Sequence, residues 1–265
     1  MSRQTVKDPG RIHPSAVVDP NAQLHESVTV GPQACIGADV EVGEGTTIGA
    51  HAVLQGPLRI GRDNSIHAHV CLGDAPQDSG YDGEPTRLEI GDGNTFREFV
   101  SIHRGSTKDE GVTRVGNHNL FMNYCHLAHD GQMGDYVSLA NCVQIGGHVH
   151  VGDRVNIGGV TAVHQFARIG DYTMIGGGSV VLKDIPPFAM ASGNKLRLYG
   201  LNRRGLQRAG FSKESIREIK HAYHILFRAG LPLAEALEQI RSSSPGDEVQ
   251  ELIHFIEASE RGVTR

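Results

Sequence analysis

The 265-residue chain has no Trp, and aromatic residues make up only 5% of it, which excludes a core built mainly on large rings. Cysteine is scarce as well. Cys35, Cys71, Cys125 and Cys142 stand far apart with no CxxC pair, against both a disulfide framework and a zinc knuckle, and they are expected to be reduced, buried thiols. No apolar run approaches the roughly 18 to 20 residues of a membrane helix. The opening MSRQTVKDPGRIHP also lacks the apolar stretch of a secretory signal. A cytoplasmic protein with no integral membrane segment is expected. A formal net charge of -5 argues against a nucleic-acid partner. What is plentiful is glycine, 34 residues, while Pro is ordinary and the charges are mixed, so neither collagen nor disorder explains it.

The charge is unevenly placed. Residues 1–182 hold 12 Lys and Arg against 20 Asp and Glu, whereas the rest of the chain holds 13 against 10. In that tail Lys195, Arg197, Arg203, Arg204, Arg208, Lys213, Arg217 and Lys220 are opposed only by Glu214 and Glu218. Such a basic patch suits an acidic partner.

A repeat accounts for the glycine. From Ile12, steps of six reach Val18, Leu24, Val30, Ile36, Val42, Ile48, Leu54, Ile60, Ile66 and Leu72. The phase returns at Ile90, Phe96 and Ile102, slips by one residue, and runs from Val115 to Val181 without a polar exception. Glycine often follows the apolar residue, as at Gly31, Gly37, Gly43 and Gly49, where a backbone corner leaves little room for a side chain. A six-residue period fits neither an amphipathic helix nor one long strand; it fits short strands separated by corners, three to a coil of 18 residues. Hexapeptide repeats of this kind form a left-handed parallel β-helix, a triangular prism filled by the inward aliphatic residues. Coils about 4.8 Å apart make it roughly 40 Å long.

The repeat assigns residues 1–187 to the prism, with polar loops at 74–89 and 105–114, and 188–265 to a C-terminal helical domain. Loops on a solenoid are not needed for stacking and point to recognition. The prism is expected to stop at Pro186-Pro187, which cannot donate to a further ladder. Ser212 should then cap a helix with Ile216, Ile219, Tyr223 and Leu226 on one face, ending at Gly230. Two more helices follow, one opened by Pro232 and one carrying Val249, Leu252, Ile253 and Ile256.

Histidine is over-supplied, 15 residues, and His103, His118, His126, His129, His148, His150 and His164 cluster in the later repeat. Asp130 follows His129, and His148 lies 18 residues after Asp130, so the coil should bring these groups to one face. An acid among histidines can orient a general base and set its tautomer. The rival is a metal site, but no two histidines are five apart, as in the His-x4-His pair of zinc-binding hexapeptide prisms. A nucleophilic Cys125 would need nearby cations, and a buried structural thiol is the plainer reading.

At these residues the chain resembles a known family. His126-Leu127-Ala128-His129-Asp130, Gly146-Gly147-His148 and Ala162-Val163-His164-Gln165-Phe166 are similar to the UDP-N-acetylglucosamine O-acyltransferases of lipid A biosynthesis. So are Pro76-Gln77-Asp78, the run Gly83 to Asp92, Ile102-His103-Arg104-Gly105, Gly200-Leu201-Asn202 and Gly205-Leu206-Gln207-Arg208. The resemblance implies transfer of an (R)-3-hydroxyacyl group from acyl carrier protein to the 3-hydroxyl of UDP-N-acetylglucosamine. It implies a homotrimer with the site between subunits, and no cofactor beyond the carrier's 4'-phosphopantetheine thioester as co-substrate. By motif match His129 is the general base, Asp130 orients it, and the Gly147 N–H serves the oxyanion. Gln77, Asp78, His126, His148, His164 and Gln165 match positions facing the substrates, while Asn202 and Arg208 match the nucleotide end. Gly177, in Gly176-Gly177-Gly178, falls where side-chain bulk sets acyl length, and its small size suggests a long chain. The acidic carrier protein would dock on the Lys195 to Lys220 patch. Two departures stand out: Arg204 and Ala209 alter the nucleotide end, and Gly80 replaces a Lys of some members, removing a cation from the ligand loop. The same base and prism would also serve the 3-amino analogue of the sugar nucleotide, or another hexapeptide acyltransferase.

Overall fold

A computed structural model describes residues 11–265. The first ten residues, on which the signal-peptide reading and the start of the 1–187 domain rest, lie outside the described residues. Each expected inward position from Val18 to Val181 falls in its own strand, twenty-five in all, from Val17–Val18 to Val180–Val181. Most strands are two residues long, because a six-residue period leaves about four for each corner. They stack in parallel, with Val17 paired to Cys35 and Val53 to Cys71, a step of one 18-residue coil. The result is three sheets of nine, eight and ten strands, the walls of a left-handed parallel β-helix. Leu54, Leu72, Phe96, Phe121, Leu127 and Ile145 meet at its axis, fully buried. Ile12 is the exception: it is 46% exposed and makes only a bridge to Val30.

The corners carry a conformational cost that stacking offsets. The third residue after the inward side chain repeatedly adopts a left-handed backbone, as at Asp63 (φ 52°), His118 (φ 56°), Asp130 (φ 58°) and His148 (φ 57°). For a non-glycine residue this costs on the order of 1 kcal/mol. Most such N–H groups bond to the coil before them, His148 N donating to His129 O at 3.0 Å and Tyr136 N to Asn117 O at 2.9 Å. Inside the prism a buried amide ladder spans the phase slip. Asn64 Oδ1 accepts from Asn94 N, Asn94 Oδ1 from Asn119 N, and Asn119 Oδ1 from Val137 N, all within 2.9 Å.

Both inserts leave the corner between the first and second sheets. They are shorter than expected. Strands Cys71–Asp74 and Arg87–Ile90 bracket residues 75–86, and strands Ser101–His103 and Val112–Val115 bracket 104–111. The polar residues at 87–89 and 112–114 belong to the ladder, with Glu89 opposite Arg114; their charged side chains alternate outward and so read as loop in the sequence.

The stacking also runs past Pro187, beyond the boundary drawn from the sequence. Strand Ala189–Ser192 pairs in parallel with Met174–Ile175, and a further strand, Arg197–Leu201, returns antiparallel to it. The two prolines lack donors, but their carbonyls still accept, from Thr173 Oγ1 and Tyr223 OH. Four helices follow: α1 (Arg203–Arg208), α2 (Lys213–Phe227), α3 (Leu233–Ser242) and α4 (Asp247–Glu257). Ser212 caps α2 by accepting from Ser215 N at 2.9 Å, and Ile216, Ile219, Tyr223 and Leu226 are buried. The helix ends at Phe227, before Gly230 (φ 73°). Neither the hexad period nor the helical pattern predicts the strand Arg197–Leu201 or the short α1.

All four cysteines are free, but only Cys125 is buried. Cys35 and Cys71 directly precede the inward Ile36 and Leu72, so strand alternation turns them outward, and Cys142 occupies a left-handed corner (φ 64°).

Candidate active site

The corner from which both inserts depart carries the histidines one coil further on. Strand His126–Leu127 ends in the turn Ala128–Gly131; the next coil places Gly146–Val149 beside it, and the one after places His164–Ala167. His129, Gly147 and Gln165 thus form one column at steps of 18 residues, about 4.8 Å apart. Asp130 and His148 form the neighbouring column.

His129 Nδ1 lies 2.8 Å from Asp130 Oδ2. Asp130 is fully buried, and its carboxylate is held from the second insert: Ser106 N donates to Oδ1 at 2.8 Å and Ser106 Oγ to Oδ2 at 2.6 Å. The Asp130 N–H donates to Thr113 Oγ1 at 2.8 Å, anchoring the backbone as well. With the carboxylate as acceptor, Nδ1 carries the imidazole proton and Nε2 keeps its lone pair. His148 stands edge-on to His129 with ring centroids 5.1 Å apart, its Nε2 3.6 Å from Asp130 Oδ2 and its Nδ1 3.4 Å from Asp109 Oδ2. Phe166 stacks on the His148 ring, with centroids 4.5 Å apart. One ring nitrogen of each histidine and one Asp130 oxygen lie within 4.8 Å of one another, the only such grouping of metal-capable donors among the described residues.

Gly147 backs the His129 ring. A Cβ there would stand 2.7 Å from His129 Cε1 and 2.9 Å from Nε2, so only glycine permits this approach. The residue is buried, and its N–H makes no hydrogen bond with another described residue.

His126 donates to or accepts from Ser101 Oγ through Nδ1 at 2.8 Å, and burial, with the nearby His103, pushes its pKa down to about 4. His103, edge-on to it at 5.1 Å, is also held below the usual histidine range by burial, and its Nδ1 has no partner among the described residues. Both rings are therefore neutral at pH 7. Burial likewise pushes the Cys125 thiol up to about 11, and its Sγ donates to Ala140 O at 3.1 Å, which removes it as a nucleophile.

The two inserts grip each other over this corner. Lys108 Nζ meets Asp78 Oδ2 at 2.6 Å, and Arg104 donates to Tyr81 OH and to Gly73 O. Lys108 and the Gly80 N–H hold the Asp78 carboxyl below its usual range. The cation expected to be lost with Gly80 is present: a Cβ on Gly80 would lie 3.5 Å from Lys108 Nζ, which the second insert supplies. Gln77 is exposed beside Asp78. His164, one coil beyond His148, is exposed and meets Arg261 through Nδ1 at 3.2 Å; Gln165 is exposed beside it.

Three expected residues lie elsewhere in the chain. Gly177 sits exposed on the corner between the third and first sheets, its Cβ position 3.0 Å from Gly159 O. Asn202 caps α1, accepting from Gly205 N and donating to Tyr172 O at 2.8 Å, so its side chain already serves the fold. Arg208 is exposed in the last turn of α1. A groove of about 830 Å³ on the second sheet, under Glu251 and Phe255 of α4, contains none of the expected site residues. The residues missed in the sequence are Ser106, Thr113, Lys108 and Asp109; the motif Ile102 to Gly105 stops one position short of the first.

Comparison with known proteins finds relatives over nearly the whole chain. The family described as UDP-N-acetylglucosamine O-acyltransferase, domain 2, matches residues 184–264. The acyl-(acyl-carrier-protein)–UDP-N-acetylglucosamine O-acyltransferase of Halorhodospira halophila is 52% identical over 256 residues, covering 96% of this chain and 99% of that protein. The chain belongs to the UDP-N-acetylglucosamine O-acyltransferase family. The Myxococcus xanthus member is also 52% identical, with the same coverage. The solved structure of LpxA from Acinetobacter baumannii superposes with a TM-score of 0.94 at 44% identity, over 96% of this chain and all of that one. The agreement spans both inserts and the helical tail, so the family is matched well beyond its hexads.

Proposed function

We propose that this chain transfers an (R)-3-hydroxyacyl group from acyl carrier protein to the glucosamine 3-hydroxyl of UDP-N-acetylglucosamine, the first step of lipid A biosynthesis, with His129 as general base. The observation that carries the base assignment is the buried Asp130 carboxylate 2.8 Å from His129 Nδ1, which leaves Nε2 free beside the N–H of Gly147, a donor with no partner among the described residues. A sugar hydroxyl is a poor nucleophile at pH 7. As its oxygen attacks the thioester carbonyl, Nε2 takes its proton, and the carbonyl oxygen gains negative charge that the Gly147 N–H stabilises. Collapse breaks the C–S bond, and the proton on Nε2 passes to the departing thiolate. Each atom in this cycle comes from the two substrates and the protein, so the reading needs no metal or other cofactor. Base catalysis of this kind is worth about 10²- to 10⁴-fold.

Asp78, positioned by Lys108, faces the ligand in this reading, along with Gln77, His126, His148, His164 and Gln165. Gly177 lies on another corner of the prism, and Asn202 and Arg208 lie at the start and end of α1; in this reading they join the site across a subunit boundary, in keeping with a homotrimer. An exposed ridge of Phe99, Tyr124 and Val160 on the corner between the third and first sheets offers apolar surface for such contact. All eight cations from Lys195 to Lys220 are exposed, and of these Arg217 alone meets a carboxylate among the described residues, Glu214 at 3.7 Å. That surface supports docking of the acidic carrier protein. No described helix is long and apolar enough to cross a membrane, in keeping with a cytoplasmic enzyme. Gly178 has open space around its missing side chain, in keeping with a long acyl group near Gly177.

The test is product mass after mixing the protein with UDP-N-acetylglucosamine, its 3-amino analogue and a ladder of 3-hydroxyacyl carrier proteins, alongside a His129→Ala variant. The expected result is a long-chain 3-O-acyl sugar nucleotide and loss of at least about 100-fold in the variant, with fold retained. Acylation of the amine alone would change the acceptor. Full turnover by the variant would remove His129 from the mechanism.

A further inference from the structure

The second insert is not explained by stacking, and its contacts converge on one carboxylate. Ser106 is 98% buried, a polar side chain in a loop that leaves the prism, and it gives two donors to Asp130: its N–H to Oδ1 at 2.8 Å and its hydroxyl to Oδ2 at 2.6 Å. Oδ2 is the oxygen that also faces His129 Nδ1 at 2.8 Å. Without these donors the carboxylate could rotate about its Cβ–Cγ bond and turn Oδ2 toward His148 Nε2, 3.6 Å away, where it would no longer hold the His129 tautomer. The loop is itself restrained by Arg104 on Gly73 O and by Lys108 on Asp78.

We propose that Ser106 is a positioning residue for the transfer reaction: it touches no reacting atom, but it fixes the rotation of the Asp130 carboxylate so that Oδ2 bonds His129 Nδ1 and Nε2 remains the base. This rests on the His129–Asp130 assignment above. It makes the second insert part of the catalytic apparatus, and it links the loop that holds Asp78 to the group that holds the base.

A double-mutant cycle tests it, using purified full-length Ser106→Ala, Asp130→Asn and the double variant, each checked by circular dichroism and oligomeric state. Ser106→Ala keeps the backbone donor and loses the hydroxyl to a charged acceptor, so kcat should fall roughly 10- to 100-fold while KM for UDP-N-acetylglucosamine stays within about twofold. Because the hydroxyl acts through Asp130, the double variant should be no more than about twofold slower than Asp130→Asn alone. Additive losses, or a raised KM with unchanged kcat, would overturn the proposal. So would a slow Asp130→Asn beside a Ser106→Ala of normal rate. A normal rate in Asp130→Asn would instead sink the dyad reading on which the proposal rests.

Discussion

Replacing Gly147 by alanine separates ring placement from oxyanion donation. The variant keeps its N–H, and Gly147 is not among the positive-φ glycines, so the backbone itself accepts a Cβ. The new methyl would stand 2.7 Å from His129 Cε1, whereas ordinary contact begins near 3.4 Å, so the ring must retreat by about 0.7 Å. It cannot do so freely, because Nδ1 is tethered to Asp130 at 2.8 Å and that carboxylate is held by Ser106. A misplacement approaching 1 Å in a reacting group costs on the order of 10²-fold, close to 2.7 kcal/mol in activation free energy. We therefore expect kcat to drop about 100-fold in a product-formation assay, with the melting temperature lowered by only a few degrees, since the clash relaxes by moving one partly exposed ring. A variant within about threefold of the parent rate would refute both the position of His129 and its role.

Two further outcomes follow from groups outside the site. Glu251 on α4, near Asp171, Glu248 and Asp153, is pushed up to about 7 by partial burial first and by those carboxylates second. An acid whose folded pKa lies above its unfolded value favours the folded state at low pH and loses that advantage as pH rises from about 4.5 to about 7. Glu251→Gln should thus melt with the parent at pH 4.5 and above it at pH 8, by less than about 1 kcal/mol because the group still reaches solvent; equal melting at pH 8 would contradict this. Cys125, raised to about 11 and buried, should be the slowest of the four thiols toward an alkylating reagent followed by mass spectrometry, and labelling of Cys125 in the folded protein ahead of Cys35 or Cys71 would contradict its placement.

The prism was legible because its determinant is local and repeats. An inward aliphatic every sixth residue names the strand, and the corners need little else. The same arithmetic put Asp130 and His148 one coil apart, and they meet. What the period could not show is whatever departs from it. Ser106 lies 24 residues before Asp130 and Lys108 lies 30 after Asp78, separations set by the inserts' own folding rather than by the coil. The loop edges were blurred because charged residues such as Arg87, Glu89 and Arg114 are as suited to an outward strand position as to a loop. For the cysteines residue type alone misleads, because strand parity turns Cys35 and Cys71 outward. The strand Arg197–Leu201 pairs antiparallel, outside the hexad rule altogether.

The coil of 18 residues has an evolutionary consequence. The side chains that the coils carry, His129, Asp130 and His148 among them, owe their neighbours to a count of residues, so a length change between Asp130 and His148 does far more harm than most point substitutions there. Six extra residues would carry His148 on by one wall and leave a different corner beside Asp130; one or two would turn the inward aliphatics outward. The stacking tolerates a change of length only where the chain already steps off the prism and returns to the same corner, at 75–86 and 104–111, and there only in the stretches that leave Asp78, Ser106 and Lys108 in place. Lineages of this fold should therefore vary in length at the tips of those two excursions, while the spacing of the later coils and the reach of Ser106 to Asp130 stay unchanged.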